Sequence, residues 1–284
     1  MEFVTIDVET ANPDMTSICQ IGIAHYRDGI QVNEWMSYIN PEQYFSSINI
    51  SIHGINEKTV SGAPTFKEAL VTLYEFMDNQ VAVCHSNFDR LAIKQAANRC
   101  DERAPNCRWL DSSRVVRRVW SEFSQKGYGL GNVCNHLGYE FKHHDALEDA
   151  RAVGHILMAA SQKGGLDLEG LLQRVTQPID PTTAATKARE GNSEGALYGE
   201  VVAFTGALEI PRREAADMAS KVGCEVGSGV TKKTTLLIVG DQDVLRLVGH
   251  EKSSKHRKAE KLISEGIPIR IMRESDFKEL VGLI

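Results

Sequence analysis

The sequence predicts two α/β domains joined by a linker. Its 284 residues are about twice the length of a typical single domain. In the N-terminal half, strand-like apolar runs come first and then alternate with segments of helical period, an order typical of an α/β domain with a mixed sheet. A shorter alternating series follows a polar, proline-marked stretch. We therefore predict a first domain over residues 1–175, a linker over 176–197 and a second domain over 198–284.

Three strand-like runs open the first domain and are separated by turn-forming residues. They are Phe3–Val8, Ile18–Tyr26 and Gln31–Ile39, and their short spacing favours an antiparallel meander. A helix is predicted over Phe66–Met77, followed by the apolar strand Val81–Cys84. Further helices are predicted over 88–99, 112–123, 129–137 and 145–161.

The second domain repeats the alternation on a smaller scale. Its predicted strands are Val201–Phe204, Thr235–Val239 and Ile267–Ile271. Its predicted helices are Arg212–Val222, Ser254–Glu265 and Glu274–Leu283. The sequence thus predicts a compact α/β unit of short strands and a few helices.

Composition and charge exclude several classes of protein. A hydrophobic fraction of 42% and a charged fraction of 25% exclude a disordered or collagen-like chain. The net charge of −6 argues against a uniformly basic nucleic-acid coat protein. Residues 1–175 hold 16 basic and 22 acidic residues, whereas residues 198–284 hold 14 and 13. The excess acidity therefore lies in the first domain, where carboxylates that hold metal ions would also be counted.

The six cysteines and the apolar runs bear on the cellular compartment. No C-x-x-C pair occurs, so neither a zinc knuckle nor a dense disulfide framework is predicted, and we expect reduced thiols. The first residues have no basic n-region followed by an apolar core, and no run approaches the roughly 20 apolar residues of a membrane span. We expect a cytoplasmic protein with no membrane partner.

Three short motifs carry acidic and imidazole groups. Asp7 and Glu9 alternate with apolar residues on a predicted strand, so both carboxylates share one face at a repeat of about 7 Å. His85 and Asp89 follow the strand Val81–Cys84, at a strand end where α/β proteins collect functional groups. His144 and Asp149 lie at the start of the last predicted helix of this domain. Each motif alone is common in a solvated strand or a helix cap, but the ordered set is not.

Together these motifs resemble those of the DnaQ-like 3′–5′ exonucleases of the DEDDh subclass, the family of the proofreading subunit of the bacterial replicative polymerase. The matching elements are Asp7-Val8-Glu9 with Thr10, Ile52-His53-Gly54-Ile55, His85-Ser86-Asn87-Phe88-Asp89 and His144-Asp145-Ala146-Leu147-Glu148-Asp149. The resemblance covers roughly residues 1–165. It implies a ribonuclease H-like mixed sheet with flanking helices.

The resemblance also implies a set of site residues. Two divalent cations, Mg²⁺ or Mn²⁺, would be held by Asp7, Glu9, Asp89 and Asp149, with Asp7 shared between them. His144 would be the general base, since the five-residue spacing to Asp149 selects it over His143. The implied pocket of the terminal nucleotide consists of Thr10, Ile52, His53 and Phe88, although Ile52 and Phe88 suit a core role equally well.

The second domain resembles a BRCT domain of the type found in bacterial NAD-dependent DNA ligases and the clamp-loader large subunit. By that resemblance a phosphate would be held by Thr205, Gly206, Arg213 and Lys255. Residues 246–261 also hold six Lys or Arg residues, which is consistent with a solvated basic helix face or with DNA contact. We favour DNA over a phosphopeptide because the basic stretch extends beyond one pocket.

These observations predict a metal-dependent 3′–5′ exonuclease that releases nucleoside monophosphates from DNA 3′ ends. A single-stranded end fits best, since the terminal nucleotide must reach a pocket where its base can stack. The BRCT module would bind DNA or a protein partner in DNA repair or DNA replication. Two alternatives remain: an exoribonuclease that trims RNA, and an inactive scaffold that binds a phosphorylated partner.

Overall fold

The computed structural model describes residues 1–179, 192–241 and 253–282. The chain divides into two compact units, Met1–Thr182 and Thr183–Ile284. Each unit has its own sheet, and the two sheets have five and four strands among the described residues. The centre of the predicted linker and residues 246–252 of the basic stretch lie outside the described residues.

The sheet of the first unit is mixed, as the sequence predicts. Its strands are β1 (Glu2–Thr10), β2 (Ile18–Arg27), β3 (Ile30–Tyr38), β4 (Val81–Cys84) and β5 (Arg108–Asp111), and their order is β3-β2-β1-β4-β5. The first three form the antiparallel meander, while β4 is parallel to β1 and β5 is parallel to β4. The strand β5 was not predicted, because its sequence Arg108-Trp109-Leu110-Asp111 lacks the continuous apolar run that revealed the equally short β4.

Helices flank this sheet and agree with most of the predicted ranges. They are α1 (Ser47–His53), α2 (Phe66–Met77), α3 (Asn87–Arg99), α4 (Ser112–Val119), α5 (Leu130–Leu137), α6 (Ala146–Gly164) and α7 (Leu168–Arg174). The predicted helix over 112–123 instead ends at Val119, and a 3₁₀ turn at Ser121–Phe123 follows. The seven-residue helices α1 and α7 were not predicted. Thus the fold class is confirmed, and the two shortest α-helices of this unit are the ones missed.

Close packing of α6 on the sheet places the candidate site. Gly22 of β2 lies so near the start of α6 that an added Cβ would be 2.2 Å from the carbonyl carbon of Ala146. The side chain of Gln20, also on β2, accepts a hydrogen bond from the Ala146 N–H at 3.2 Å. In the β1–β2 register Gly22 lies opposite Asp7 and Gln20 opposite Glu9. The first turns of α6 are therefore held over the β2 residues that pair with the two carboxylates.

The second unit is a parallel sheet with helices. Its strands are β6 (Val201–Thr205), β7 (Glu225–Gly227), β8 (Leu236–Val239) and β9 (Arg270–Arg273), in the order β7-β6-β8-β9. Its described helices are α8 (Arg212–Lys221), α9 (Ser254–Ser264) and α10 (Glu274–Gly282). The last strand is displaced from its predicted range of 267–271, and β7 was not predicted.

Part of the predicted linker packs with the second unit. Ala196 and Leu197 are buried, and the Leu197 N–H donates to the Val222 carbonyl at 2.9 Å. The composition of 176–197 therefore does not mark the start of the second unit, because the last residues of this predicted linker already pack with that unit.

The cysteine side chains and the lengths of the helices can be read directly from the structure. All six cysteines are free thiols, and four of them, Cys19, Cys84, Cys134 and Cys224, are buried. Within the described ranges, no helix combines the length and apolar character that crossing a membrane requires.

Candidate active site

The carboxyl end of β1 supplies two carboxylates. Val4 and Ile6 are fully buried, whereas Asp7 and Glu9 near the end of the strand are partly exposed. Side-chain alternation puts both carboxylates on the face that β1 shares with Gly22 and Gln20 of β2. The apolar residues therefore anchor the strand in the sheet while the acids face the start of α6.

Asp149 completes a group of three carboxylates. It lies in the first turn of α6 and is 98% buried. Carboxylate oxygens of Asp7, Glu9 and Asp149 lie within 4.8 Å of one another. Burial, and secondarily the negative charge of Glu9, raises the pKa of Asp149 from 3.8 to about 8. Three acids at this distance repel one another unless a cation lies between them.

The surroundings of Asp149 fit a divalent cation. Its Oδ2 accepts a hydrogen bond from the backbone N–H of His144 at 2.8 Å. Its Oδ1 is buried and has no hydrogen-bond partner among the described residues. An unsatisfied buried oxygen is costly, and hard oxygen donors are the ligands that Mg²⁺ and Mn²⁺ prefer. The acidic group is therefore suited to hold such an ion.

Asp89 contacts the backbone of the same strand. It lies in the first turn of α3, and its Oδ1 accepts a hydrogen bond from the Val8 N–H at 3.2 Å. The turn before it holds Ser86 at a φ of 138°, a conformation that costs a non-glycine residue strain. Asp89 lies outside the group of three oxygens, but its charge contributes to the raised pKa of Asp149. Four predicted acids thus converge on the end of β1.

Two histidine side chains lie beside the carboxylates, whereas the spacing in the sequence assigned a role to His144 alone. The Nδ1 of His144 is 3.5 Å from Oε1 of Glu9, and the Nε2 of His143 is 3.7 Å from Oδ1 of Asp149. His144 has a left-handed φ of 66°, which is uncommon for a non-glycine residue and turns the chain just before α6. Spacing alone could not reveal this turn, so the nearness of His143 was missed.

Three of the four predicted phosphate residues, Thr205, Gly206 and Lys255, lie at the carboxyl end of β6. The hydroxyl of Thr205 is 2.7 Å from the hydroxyl of Ser253, which caps the N-terminus of α9. The Lys255 ammonium donates to the Phe204 carbonyl at 3.0 Å, and burial lowers the pKa of this lysine. Two hydroxyl groups and one ammonium group thus meet near the N-terminus of α9.

The two arginines at the start of α8 differ in their contacts. Arg212 donates to the carbonyl oxygens of Phe204 and Gly206, at 2.9 and 2.8 Å. Its neighbour Arg213, the predicted phosphate ligand, is exposed. Arg212 and Ser253 were not predicted. The adjacency of two arginines was visible in the sequence, but it could not show which one the helix would turn toward β6.

Comparison with known proteins assigns both units. Residues 4–157 match the family model described as Exonuclease. The chain belongs to the Exonuclease family. Residues 192–275 match the model of the BRCA1 C Terminus (BRCT) domain. The first unit is therefore an exonuclease domain and the second a BRCT domain.

Curated relatives are similar to this chain over its exonuclease domain. The DNA polymerase III PolC-type of Oceanobacillus iheyensis is 28% identical over 165 residues, which are 57% of this chain and 11% of that protein. A putative bifunctional exonuclease/endonuclease protein of Mycobacterium tuberculosis is 29% identical over 192 residues, 62% of this chain and 30% of that protein. The chain thus spans less than a third of the length of either relative.

Solved structures share the fold of the exonuclease domain. A structure described as 3′-end specific recognition of histone mRNA stem-loop by 3′-exonuclease has a TM-score of 0.51 at 17% identity, covering 57% of this chain and 82% of that one. Exonuclease I of E. coli with a dA16 oligonucleotide has a TM-score of 0.50 at 12% identity, covering 58% and 41%. At these identities the likeness establishes the fold alone.

Within the exonuclease domain, α1 is attached to the end of β1 by two side chains. The amide of Asn49 and Nε2 of His53 both lie within hydrogen-bond distance of the Thr10 carbonyl, at 2.8 and 3.1 Å. Nδ1 of His53 accepts a hydrogen bond from the Ile55 N–H at 3.0 Å, so Nε2 carries the proton in this arrangement. His53, predicted as a nucleotide contact, thus fixes a helix. Asn49 was missed, although its i,i+4 spacing to His53 was visible.

The remaining predicted pocket residues differ in exposure. Phe88 is 93% buried in the first turn of α3, whereas Ile52 is half-buried on α1. His85 lies away from the carboxylates: its Nδ1 is 2.7 Å from the Ser112 hydroxyl and its Nε2 is 2.7 Å from the Tyr128 carbonyl. Burial lowers the pKa of His85. This histidine of the His85–Asp89 motif therefore ties the end of β4 to the loop before α5.

Proposed function

We propose that this chain is a metal-dependent 3′–5′ exonuclease of the DEDDh subclass that hydrolyses single-stranded DNA from its 3′ end. One observation carries the proposal: Asp7, Glu9 and Asp149 bring carboxylate oxygens within 4.8 Å of one another, and one buried oxygen of Asp149 lacks a hydrogen bond among the described residues. Such an arrangement is costly without a cation and suited to binding one. A protein that served only as an inactive scaffold would gain nothing from carboxylates whose burial and mutual repulsion destabilise the fold.

The proposed roles follow from the positions of the side chains. Asp7, Glu9, Asp89 and Asp149 would hold two Mg²⁺ or Mn²⁺ ions, with Asp7 shared between them. When bound, two such ions generate the nucleophile from water and neutralise charge on the entering and leaving oxygens. Nδ1 of His144 faces Glu9, which leaves Nε2 to accept the proton of the attacking water. The oxygen of water would bond to phosphorus as the bond from phosphorus to the 3′ oxygen breaks; the 3′ oxygen takes up a proton and stays on the shortened strand as a hydroxyl, and a nucleoside 5′-monophosphate is released.

The similarity to DNA polymerase III PolC-type proteins favours DNA as the substrate of this chain. The DNA polymerase III PolC-type proteins are similar to this chain over its exonuclease domain, and polymerases of that name act on DNA. Thr10, Ile52, His53 and Phe88 are proposed to surround the terminal nucleotide. Of these, His53 would act by holding α1 in place. Phe88 would act from the first turn of α3, next to Asp89.

The test of this proposal is a degradation assay with strands labelled at the 5′ end. The protein is freed of metal with EDTA and given single-stranded DNA or RNA of one sequence, with and without Mg²⁺ or Mn²⁺. We expect labelled DNA fragments that shorten stepwise, with no cleavage in EDTA. Immediate release of a labelled mononucleotide would show the opposite polarity, and faster loss of RNA would favour the exoribonuclease. Intact DNA and RNA under all conditions would refute hydrolysis altogether.

We further propose that the BRCT domain, of the bacterial DNA-ligase type, binds a DNA phosphate or a partner in DNA repair or replication. Thr205, Gly206, Arg213 and Lys255 would contact the phosphate. The hydroxyl pair of Thr205 and Ser253 and the capped N-terminus of α9 support this proposal, since together they offer donors to an anion. Domain limits of 1–175 and 198–284 are proposed with it, and residues 192–197 pack with the second unit.

Lys255→Ala and Arg213→Ala are expected to weaken DNA binding by about tenfold each, because a hydrogen bond to a charged group contributes about 1.5–3 kcal/mol. Affinity for a DNA strand is measured by fluorescence anisotropy in EDTA, so that no strand is cut. Lys232→Ala is the matched control: this exposed lysine precedes β8, at the opposite end of the parallel sheet from Thr205. Unchanged affinity in both variants would favour a protein partner instead.

A further inference from the structure

A row of aromatic rings leads away from the candidate active site. His143 and His144 have ring centroids 4.0 Å apart, and Phe141 lies 5.6 Å from His143. Tyr139 follows at 6.0 Å from Phe141 and stacks on His155 of α6 at 4.4 Å. The row therefore begins at the imidazole beside Glu9 and continues without a gap along the segment between α5 and α6.

The row is anchored on one side and open on the other. Tyr139 and Phe141 pack against the hydrophobic core, while the side chain of His143 is 48% exposed. A cavity of about 400 Å³ lies beside these rings, and its walls are Gly131, Asn135, Tyr139, Glu140, Phe141 and His143. That volume lies within the range of sites that bind small organic groups. Ring faces held rigidly against a core lose little entropy when a flat ligand stacks on them.

The position of the row indicates what occupies it. The proposed reaction requires the last phosphodiester of a strand at Asp7, Glu9 and Asp149, so the rest of the strand must leave across a neighbouring surface. The aromatic row is continuous with that point through His143 and His144. Every base has a flat π face, and stacking on an aromatic side chain contributes about 1–3 kcal/mol per base whatever the sequence.

Charge around the row favours contact with bases over contact with phosphates. Glu140, an exposed acid, lines the cavity. The nearby Lys142 is also exposed, and its Nζ lies 3.5 Å from Oδ2 of Asp145. A negative wall with a lysine already paired does not attract a phosphate backbone. The cavity therefore offers a DNA strand aromatic rings for its bases and no unpaired cation for its phosphates among these residues.

We infer that Tyr139, Phe141 and His143 form a stacking track for the bases of single-stranded DNA upstream of the cleaved bond. The inference rests on the proposed exonuclease function and adds to it the path of the substrate. The track makes the enzyme favour strands long enough to reach it. Because it acts by stacking, its contribution changes little with salt, unlike that of phosphate contacts.

Substitution of the rings by leucine tests the track. Tyr139→Leu and Phe141→Leu keep apolar volume against the core and remove the aromatic face. Hydrolysis of a dinucleotide is compared with that of a strand about twelve nucleotides long, a length within the site sizes of single-strand binding proteins. We expect each variant to raise the KM of the long strand by about fivefold to 150-fold, the equivalent of about 1–3 kcal/mol. The advantage of the long strand over the dinucleotide then shrinks.

Tyr74→Leu provides the matched control, since Tyr74 is a half-buried tyrosine on α2 whose ring contacts Arg103. It is expected to keep the wild-type dependence on length. Equal loss on both substrates in Phe141→Leu would mean that the ring supports the fold alone, and an unchanged KM in both track variants would also overturn the inference.

A binding measurement separates the track from the reaction. Strands carrying 2-aminopurine at successive positions from the 3′ end are bound in EDTA, and the change in base fluorescence is followed in wild type and in Phe141→Leu. We expect a change at upstream positions that the variant lacks. If wild type bound the probes in this way but hydrolysed nothing, the proposed function would fail and the track would stand. If wild type hydrolysed DNA without any upstream signal, the track would fail alone.

Discussion

Asp149→Asn is expected to reduce hydrolysis of single-stranded DNA by about a thousandfold or more. Asparagine keeps the size of the side chain but removes the charge from the group that Asp7, Glu9 and Asp149 form. Metal ions contribute several kcal/mol to stabilising charge in a phosphoryl transition state, and about 4 kcal/mol corresponds to three orders of magnitude in rate. Rates are measured in Mg²⁺ at saturating protein, so that weakened substrate binding does not disguise the loss.

The same variant has a second readout that does not depend on activity. In wild type, Mg²⁺ is expected to raise Tm because the ion binds the folded protein and offsets the repulsion among the carboxylates. In Asp149→Asn that increase should largely vanish, while the Tm of the metal-free protein rises above that of wild type. Asp145→Asn is the control, since Asp145 is the N-cap residue of α6, four positions before Asp149, but lies outside the group of three carboxylates. An undiminished response to Mg²⁺ in Asp149→Asn would contradict the assignment.

The dependence of Tm on pH follows from the same carboxylate. Burial and the charge of Glu9 raise the pKa of Asp149 from 3.8 in an unfolded chain to about 8. A raised pKa means that the folded state binds the proton more tightly, so this contribution to stability is complete below about pH 4. It is lost as the pH rises toward 8. The metal-free wild type should lose stability over that window, and Asp149→Asn should lose less.

The sequence allowed the acidic centre to be predicted because strand alternation and helix starts are local properties. Asp7 and Glu9 share a face by the pleat of β1 alone, and the apolar period of α6 locates Asp149 in its first turn. The structure brings these residues together. The motifs could not give the distances between the carboxylate oxygens, because those distances depend on how closely α6 packs against β2.

Other parts of the site depend on contacts between distant residues. The apolar residues of the helix α1, Ile48, Ile50 and Ile52, alternate with a period of two, which is the pattern of a strand and not of a helix. Its attachment instead uses Asn49 and His53, which bond a carbonyl some forty residues earlier in the chain. Likewise, the left-handed φ of His144 brings His143 to Asp149, and no pattern in the sequence encodes that turn.

Gly22→Ala is expected to damage both stability and activity although Gly22 lies outside the acidic group. The added Cβ would lie 2.2 Å from the carbonyl carbon of Ala146, 2.3 Å from its oxygen and 2.3 Å from the nitrogen of Leu147. All three are backbone atoms, so no side-chain rotation can relieve the clash and α6 must move away from β2. Overpacking of this kind costs about 1–3 kcal/mol and sometimes more.

Movement of α6 also carries Asp149 away from β1. The Gln20 side chain would lose its bond to the Ala146 N–H, and a displacement of about 1 Å at a catalytic group can reduce a rate about a hundredfold. We therefore expect Gly22→Ala to lower Tm, to lower kcat and to weaken the rise in Tm on adding Mg²⁺. Gly129→Ala is the control, since a Cβ at that position, the N-cap of α5, meets nothing within 4 Å. Retention of wild-type Tm and kcat by Gly22→Ala would show that α6 does not hold Asp149 against the sheet in the way the packing indicates.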